Sequence, residues 1–252
     1  MLRVMSYNIA LGGVDADGTS RLPLIHEVVR AVRPDVLALQ EANAFDLQAQ
    51  ERLFAFEAAT GLRGLLGPSP TGFHGALFLR RDLQPLELWT EVPPGNRRME
   101  LLLRDPAGAE LTVCGVHLDA ISPETRLVGA HYAVAAPPSI VMGDFNNPRA
   151  DDPGVAEGFA AWPARRRAGH GGAGVDDRLF AVFEHAGYVD LYRHLHPGEP
   201  GHTVVGAPLR IDYVFATADL AARATRCDVL RTAETEQASD HFPLVADFDL
   251  EL

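Results

Sequence analysis

Short apolar runs, each about the length of one strand, recur along the whole chain, and polar residues that a hydrophobic core does not call for cluster at their ends. The runs lie at 2–9, 35–40, 75–79, 98–103, 110–118, 139–142, 211–216 and 243–250, and their spacing predicts strands from one end of the sequence to the other. Between them, 21–32 places Leu22, Ile25, Val28, Val29 and Val32 on one helical face, and 46–60 does the same with Leu47, Leu53, Phe54 and Phe56. Further helices are predicted over 123–135 and over 175–186, where Leu179, Val182 and Phe183 form the stripe and Gly187 ends it. Helices alternating with strands give an α/β layered domain. Because 47% of the 252 residues are hydrophobic and 22% charged, the chain can bury one full core, and residues 1–252 are read as a single domain. Punctuation concentrates at 67–75, at 92–96 and in the long stretch 146–174, which is read as a flexible loop and a candidate flap over a site.

Charge narrows the possible partners. The net charge is −12, and all 22 basic residues are arginine. Without lysine, Schiff-base and amine-nucleophile chemistry is excluded. A polyanion is held mainly by basic side chains that displace its counterions, so tight binding of duplex DNA is not expected, and any phosphate must be met at a local site or through a metal. No window reaches the roughly 18 consecutive apolar residues of a membrane span. The N-terminus turns polar at Ser6-Tyr7-Asn8 and lacks the apolar core of a signal peptide, so the expected location is cytoplasmic. Cys114 and Cys227 lie far apart in apolar surroundings and read as two buried free thiols.

The polar residues at the run ends carry the chemistry. They are Asn8, Gln40-Glu41, His117, Asp144 with Asn146, Asp212, and Asp240-His241. Strand ends gather at one edge of a sheet, so residues distant in sequence can meet there. The set suits metal-assisted attack of water on phosphorus. Hard cations such as Mg²⁺ take one or two carboxylates together with water and phosphate oxygens, and Glu41 and Asp240 can supply the carboxylates. Asp144 would deprotonate or orient the water, and Asn146 would hold that water or a phosphate oxygen. A cationic His241 and a donor from His117 would stabilise charge on the phosphoryl oxygens, with Asp212 behind His241 fixing its tautomer. Asp144 and Asn146 could form an Asx turn that merely begins a loop, but Gly143 before and Pro148 after suit a rigid turn that presents both side chains outward.

In this order, S-Y-N-I, L-Q-E, V-H-L, G-D-F-N, R-I-D-Y and S-D-H-F-P resemble the endonuclease/exonuclease/phosphatase superfamily, the group that shares the deoxyribonuclease I fold. The matches run from Tyr7 to Leu244. The resemblance implies a four-layer α/β sandwich, two mixed β-sheets packed face to face and flanked by helices, with the site at one edge. It implies hydrolysis of phosphoesters with Mg²⁺ or Mn²⁺. By matching motif, it puts Asn8, Glu41 and Asp240 on the metal side, Asp144 and Asn146 at the water and phosphate, His117 on the phosphate, and His241 with Asp212 as the His-Asp pair. One strand departs from the family's G-N-A-I-L-S-R pattern: this chain has His74-Gly75-Ala76-Leu77-Phe78-Leu79-Arg80, so no site role is placed there. The expected reaction is that of a phosphodiesterase acting on a small molecule or a short nucleic acid. A nuclease of short or single strands and a phosphomonoesterase are the enzyme alternatives, and a protein-binding pseudoenzyme is the rival of another class. Arg149 is a weak substrate candidate because it follows G-D-F-N-N-P, as is Arg165 to Arg167 because it lies in the flap. Arg97-Arg98 is the other basic pair.

Overall fold

In a computed structural model of the protein, which describes residues 1–91, 98–135, 140–168, 170 and 174–251, every predicted run contributes a strand. The turn at 92–96 and Arg97 lie outside the described residues. Twelve strands occur among the described residues: β1 Leu2–Asn8, β2 Val36–Gln40, β3 Arg63–Gly67, β4 Gly75–Leu79, β5 Glu87–Glu91, β6 Arg98–Arg104, β7 Glu110–His117, β8 Ile140–Asp144, β9 Tyr188–Asp190, β10 Asp212–Thr217, β11 Ala224–Val229 and β12 Leu244–Phe248. They form two mixed six-stranded sheets, β11-β12-β1-β2-β4-β3 and β5-β6-β7-β8-β10-β9. The sheets face one another, with β1 against β8 and β2 against β7 and β8.

The central strands are buried at nearly every position because both of their faces are covered. Leu2 and Val4 of β1, Val36 and Ala38 of β2, Leu77 and Leu79 of β4 and Ile140 and Met142 of β8 point into the core between the sheets. The alternate residues Met5, Tyr7, Leu37, Leu39 and Phe78 point outward, under the helices Leu22–Val32 and Glu51–Thr60. On the far side, Val116, Val141, Phe145, Tyr213 and Phe215 are covered by Leu179, Phe180 and Phe183 of the helix Arg178–His185, and by Ala130 and Ala133 of the helix Pro123–Ala133. Helix, sheet, sheet and helix are the four layers expected.

Several local expectations are corrected. The helix predicted from residue 46 begins at Glu51, because Gln48, Ala49 and Gln50 have φ of 50°, 53° and 65°; Leu53 and Phe56 are buried, whereas Leu47 and Phe54 of the predicted face are exposed. The 146–174 stretch is not a featureless loop. It holds the short helices Val155–Ala161 and Ala164–Ala168, and Val155, Phe159 and Trp162 pack on Leu209 and Ile211. The turn begins at Asp144, which ends β8 and whose Oδ1 accepts the Asn146 N–H at 2.7 Å, so Gly143 lies in the strand and not in the turn.

The last point has a steric cause. A Cβ on Gly143, whose φ is 155°, would lie 1.9 Å from the carbonyl oxygen of Val116 on neighbouring β7. Only glycine lets the parallel pair β7–β8 run in register through His117↔Asp144. Gly143→Ala is expected to cost about 1–3 kcal/mol of stability, the usual range for overpacking a tight core, read as a lowered denaturant midpoint. An unchanged midpoint would show that the strands can part without loss.

Candidate active site

The strand register brings the polar ends together. Asn8 ends β1 opposite Gln40 of β2, and Asp144 ends β8 between His117 of β7 and Asp212 of β10. The Asp240-His241 segment runs into β12, whose Leu244 pairs with Ser6. Both sheets therefore deliver side chains to one edge of the sandwich.

Asp144 is the hub. Its Oδ1 accepts the Asn146 backbone N–H at 2.7 Å, and its Oδ2 accepts Asn8 Nδ2–H at 3.0 Å. His117 Nε2 lies 3.6 Å and His241 Nε2 4.0 Å from the same Oδ2. Those gaps are too long for direct hydrogen bonds and wide enough for one oxygen atom to be shared among the three groups. His117 Nδ1 is buried without a hydrogen-bond partner. A neutral ring therefore keeps its proton on Nε2, facing Asp144. Asn146 has φ of 50°, and its Nδ2 donates to the Leu118 carbonyl at 3.0 Å, which fixes the turn after β8.

His241 is buried, and its Nδ1 lies 2.8 Å from Asp212 Oδ2. Burial alone would lower its pKa. The charge and hydrogen bond of Asp212, with Asp144 and Asp240 nearby, more than reverse this and raise it to about 10. The ring is therefore expected to carry a proton on both nitrogens at neutral pH, while burial raises the Asp212 carboxyl above its usual range as well.

Glu41, with φ of 56°, turns back on β1. Its Oε2 accepts the Leu11 N–H at 2.9 Å, and its Oε1 lies 3.4 Å from Asn8 Nδ2. Glu41, His117, Asn146 and the exposed Asp240 line one cleft of about 460 Å³. Asp144, Asp212 and His241 form a buried group whose ligand atoms lie within 4.8 Å of one another, close enough to hold a metal ion. However, Asp212 is already engaged by His241 Nδ1 at 2.8 Å. Oxygen donors facing the cleft, Glu41 and Asp240 with Asn8 beside them, suit a hard divalent cation better.

The sequence pattern of the Endonuclease/Exonuclease/phosphatase family matches residues 5–241. The chain belongs to that family. As a family member it is similar in structure to an endonuclease/exonuclease/phosphatase from Beutenbergia cavernae, at 19% identity over 99% of this chain and 72% of that one, with a TM-score of 0.73. It is also similar to a 3′ phosphatase from Neisseria bound to a product DNA hairpin (18%, 99% and 100%, 0.71). A third likeness is to mannosyl-6-phosphatase from Bacteroides thetaiotaomicron (18%, 98% and 99%, 0.68). At these identities the likeness is one of fold. No curated protein matches the chain.

Arg149 is a correction. Its guanidinium is spent on Glu184 at 2.8 Å and Asp151 at 3.2 Å and packs over Phe180, and it does not line the cleft of this family member. Arg98 is buried beside Glu100. Of Arg165 to Arg167, only Arg166 lines the cleft.

Three supporting residues escaped the sequence reading. Ser239 Oγ donates to the Asn8 carbonyl at 2.7 Å and accepts His241 N–H at 3.3 Å. Thr203 Oγ1 accepts the N–H groups of Ile211 and Asp212 at 3.0 and 3.2 Å. Arg21 donates to the carbonyls of Ile9 at 3.1 Å, Ala10 at 2.7 Å and Ala238. Together they tie the end of β1 to the Asp240-His241 segment and fix the start of β10. Ser239 was visible inside S-D-H, but nothing in the sequence singles out Thr203 or Arg21, whose links to the site run through backbone atoms, the Arg21 Nε being held by Asp15 at 2.8 Å.

Asp212→Asn removes the charge that raises the His241 pKa. The His241 ring should stay protonated through neutral pH in the parent protein and lose its proton at distinctly lower pH in Asp212→Asn, with the fold retained, as read from its ring resonances by NMR. Identical titrations would show that Asp212 does not set the charge of the ring.

Proposed function

We propose that the protein is a phosphodiesterase that uses a divalent cation, Mg²⁺ or Mn²⁺. The observation that carries this reading is the Asp144 carboxylate, held by Asn8 and the Asn146 N–H, with two histidine Nε2 atoms 3.6 and 4.0 Å from one oxygen at the cleft. Water placed in that gap gives its proton to Asp144 Oδ2 as it attacks phosphorus, while the P–O bond to the departing ester group breaks and the released oxygen leaves as an alkoxide or phenolate that takes its proton from solvent. His241, as a cation, and His117, through Nε2–H, donate to the phosphoryl oxygens on which charge builds. Asp212 keeps the His241 ring oriented and protonated, so it acts through that ring. Asn146 holds the turn that sets the Asp144 carboxylate against the water. A divalent cation held by Glu41 and Asp240, with Asn8 beside them, would polarise a phosphoryl oxygen and lower the barrier to attack.

The acidic mouth of the cleft, where Glu41, Asp119 and Asp240 all stand, favours a monoanionic diester over a dianionic monoester. A long duplex is disfavoured as substrate: the net charge is −12, and Arg166 is the one arginine lining the cleft among the described residues. The similarity to a phosphatase bound to a DNA hairpin leaves a short nucleic acid as the second substrate reading. No helix among the described residues is long and apolar enough to cross a membrane, and a cytoplasmic location remains part of the proposal.

Bis-p-nitrophenyl phosphate with Mg²⁺ should be hydrolysed, and chelation by EDTA should abolish the reaction. Asp144→Asn and His241→Ala should each lower kcat by about 10² or more, the scale of one lost base or one lost charge-stabilising donor. Full activity in EDTA would remove the metal from the proposal. A family member inert towards every diester and monoester offered would belong to the protein-binding reading instead. Affinity for long duplex DNA, if measurable, should fall with salt with a slope of about −2 or shallower, corresponding to about two phosphate contacts or fewer.

A further inference from the structure

The proposed chemistry leaves part of the cleft wall unexplained. Besides the polar residues, the cleft is walled by Leu11, Phe73 and Ile121 and by Arg166. The three apolar side chains are 51%, 38% and 58% exposed. They come from separate segments of the chain and converge on one cavity, which makes them a surface that a ligand can cover. Phe73 stands edge-on to the His117 ring at 6.4 Å between centroids, so the apolar surface adjoins the phosphoryl end of the site.

Arg166 differs from its neighbours. Arg167 donates to the Ala160 carbonyl at 2.7 Å and lines a different cavity, and Arg165 is exposed. The Arg166 guanidinium lies 5.4 Å over the ring of Trp162, which is buried with Phe159 against Leu209 and Ile211. Among the described residues it has no carboxylate partner, although acids are plentiful in this chain. An arginine stacked on an anchored indole keeps its planar fork free for a carboxylate or phosphate.

Resting on the phosphodiesterase reading, we infer that the cleft selects diesters whose second ester group is a compact apolar body bearing an anionic group. The body lies against Leu11, Phe73 and Ile121, and the anion sits on Arg166. A cavity of about 460 Å³ holds a phosphoryl group and a ring or two, not a run of nucleotides.

Three probes that release the same p-nitrophenolate separate this inference from its parent: methyl, phenyl and 4-carboxyphenyl p-nitrophenyl phosphate. With Mg²⁺, kcat/KM should rise by about tenfold from methyl to phenyl, as expected when one ring is withdrawn from water. It should rise by about tenfold again from phenyl to 4-carboxyphenyl, the effect of one charge-assisted pair. In Arg166→Met the 4-carboxyphenyl-to-phenyl ratio should collapse by about tenfold, and in Phe73→Ala the phenyl-to-methyl ratio should fall. Arg166 is on the surface of a short helix, so circular dichroism should show the fold intact. No turnover of any probe by the parent protein sinks the phosphodiesterase reading itself. Turnover of all three at equal kcat/KM overturns the inference and leaves that reading standing. An equal fall for all three probes in Arg166→Met also overturns it, because the arginine would then be acting on the transferring phosphoryl group.

Discussion

The hydrogen bond from Asn8 Nδ2 to Asp144 Oδ2 joins the two sheets at the edge where the site forms. At 3.0 Å and buried, it links the last residue of β1 in one sheet to the last residue of β8 in the other. Removing one partner would leave a buried carboxylate or amide unsatisfied, a cost of about 1–3 kcal/mol or more when the group is charged. The remaining polar contacts are arranged around this link. Ser239 holds the Asn8 backbone to His241, Asn146 N–H takes the second oxygen of Asp144, and Thr203 fixes the start of β10 so that Asp212 reaches His241. The sandwich could slide on its apolar core, which is non-directional; the polar edge sets the alignment that catalysis needs.

What was legible in the sequence follows from burial. The eight predicted strands are interior members of their sheets, covered on both sides, and hence rich in apolar residues. The four that were missed, β3, β5, β9 and β11, are the four sheet edges. Edge strands are half-exposed and carry polar residues that blunt further pairing; β3 reads Arg-Gly-Leu-Leu-Gly and β11 Ala-Thr-Arg-Cys-Asp-Val. Period alone does not separate such segments from loops. The helices of the 146–174 stretch were hidden for a related reason. Their stability comes from Phe159 and Trp162 docking on Leu209 and Ile211, a contact between segments about fifty residues apart.

The site was legible through the order of its motifs, because each central strand carries its functional residue at the end that reaches the common edge. Backbone conformation was not. Glu41 and Asn146 adopt positive φ without being glycine, a strain of about 1–3 kcal/mol at such positions. In both cases the surrounding contacts hold it, since Glu41 accepts the Leu11 N–H and Asn146 Nδ2 reaches Leu118. Arginines were also unreadable, since their sequence neighbours do not reveal whether a carboxylate will meet them. Arg149 beside the strongest motif is consumed by Glu184, whereas Arg166 in an unremarkable run faces the cleft.

Formal charge explains why the proposed substrate and cation must bind together. Asp212 and His241 cancel as a pair. Glu41, Asp119, Asp144 and Asp240 then leave four formal negative charges around the place where a phosphate would sit, against a single arginine on the cleft wall among the described residues. A phosphodiester entering alone would meet like charge at close range. A divalent cation held by Glu41 and Asp240, as proposed, would offset much of that field and make the acid-lined cleft an anion site. The −12 net charge of the chain is compatible with work on phosphate for this reason. Attraction would then be generated locally, by the proposed cation and Arg166, and would extend over a single phosphoryl group and not along a polyanion.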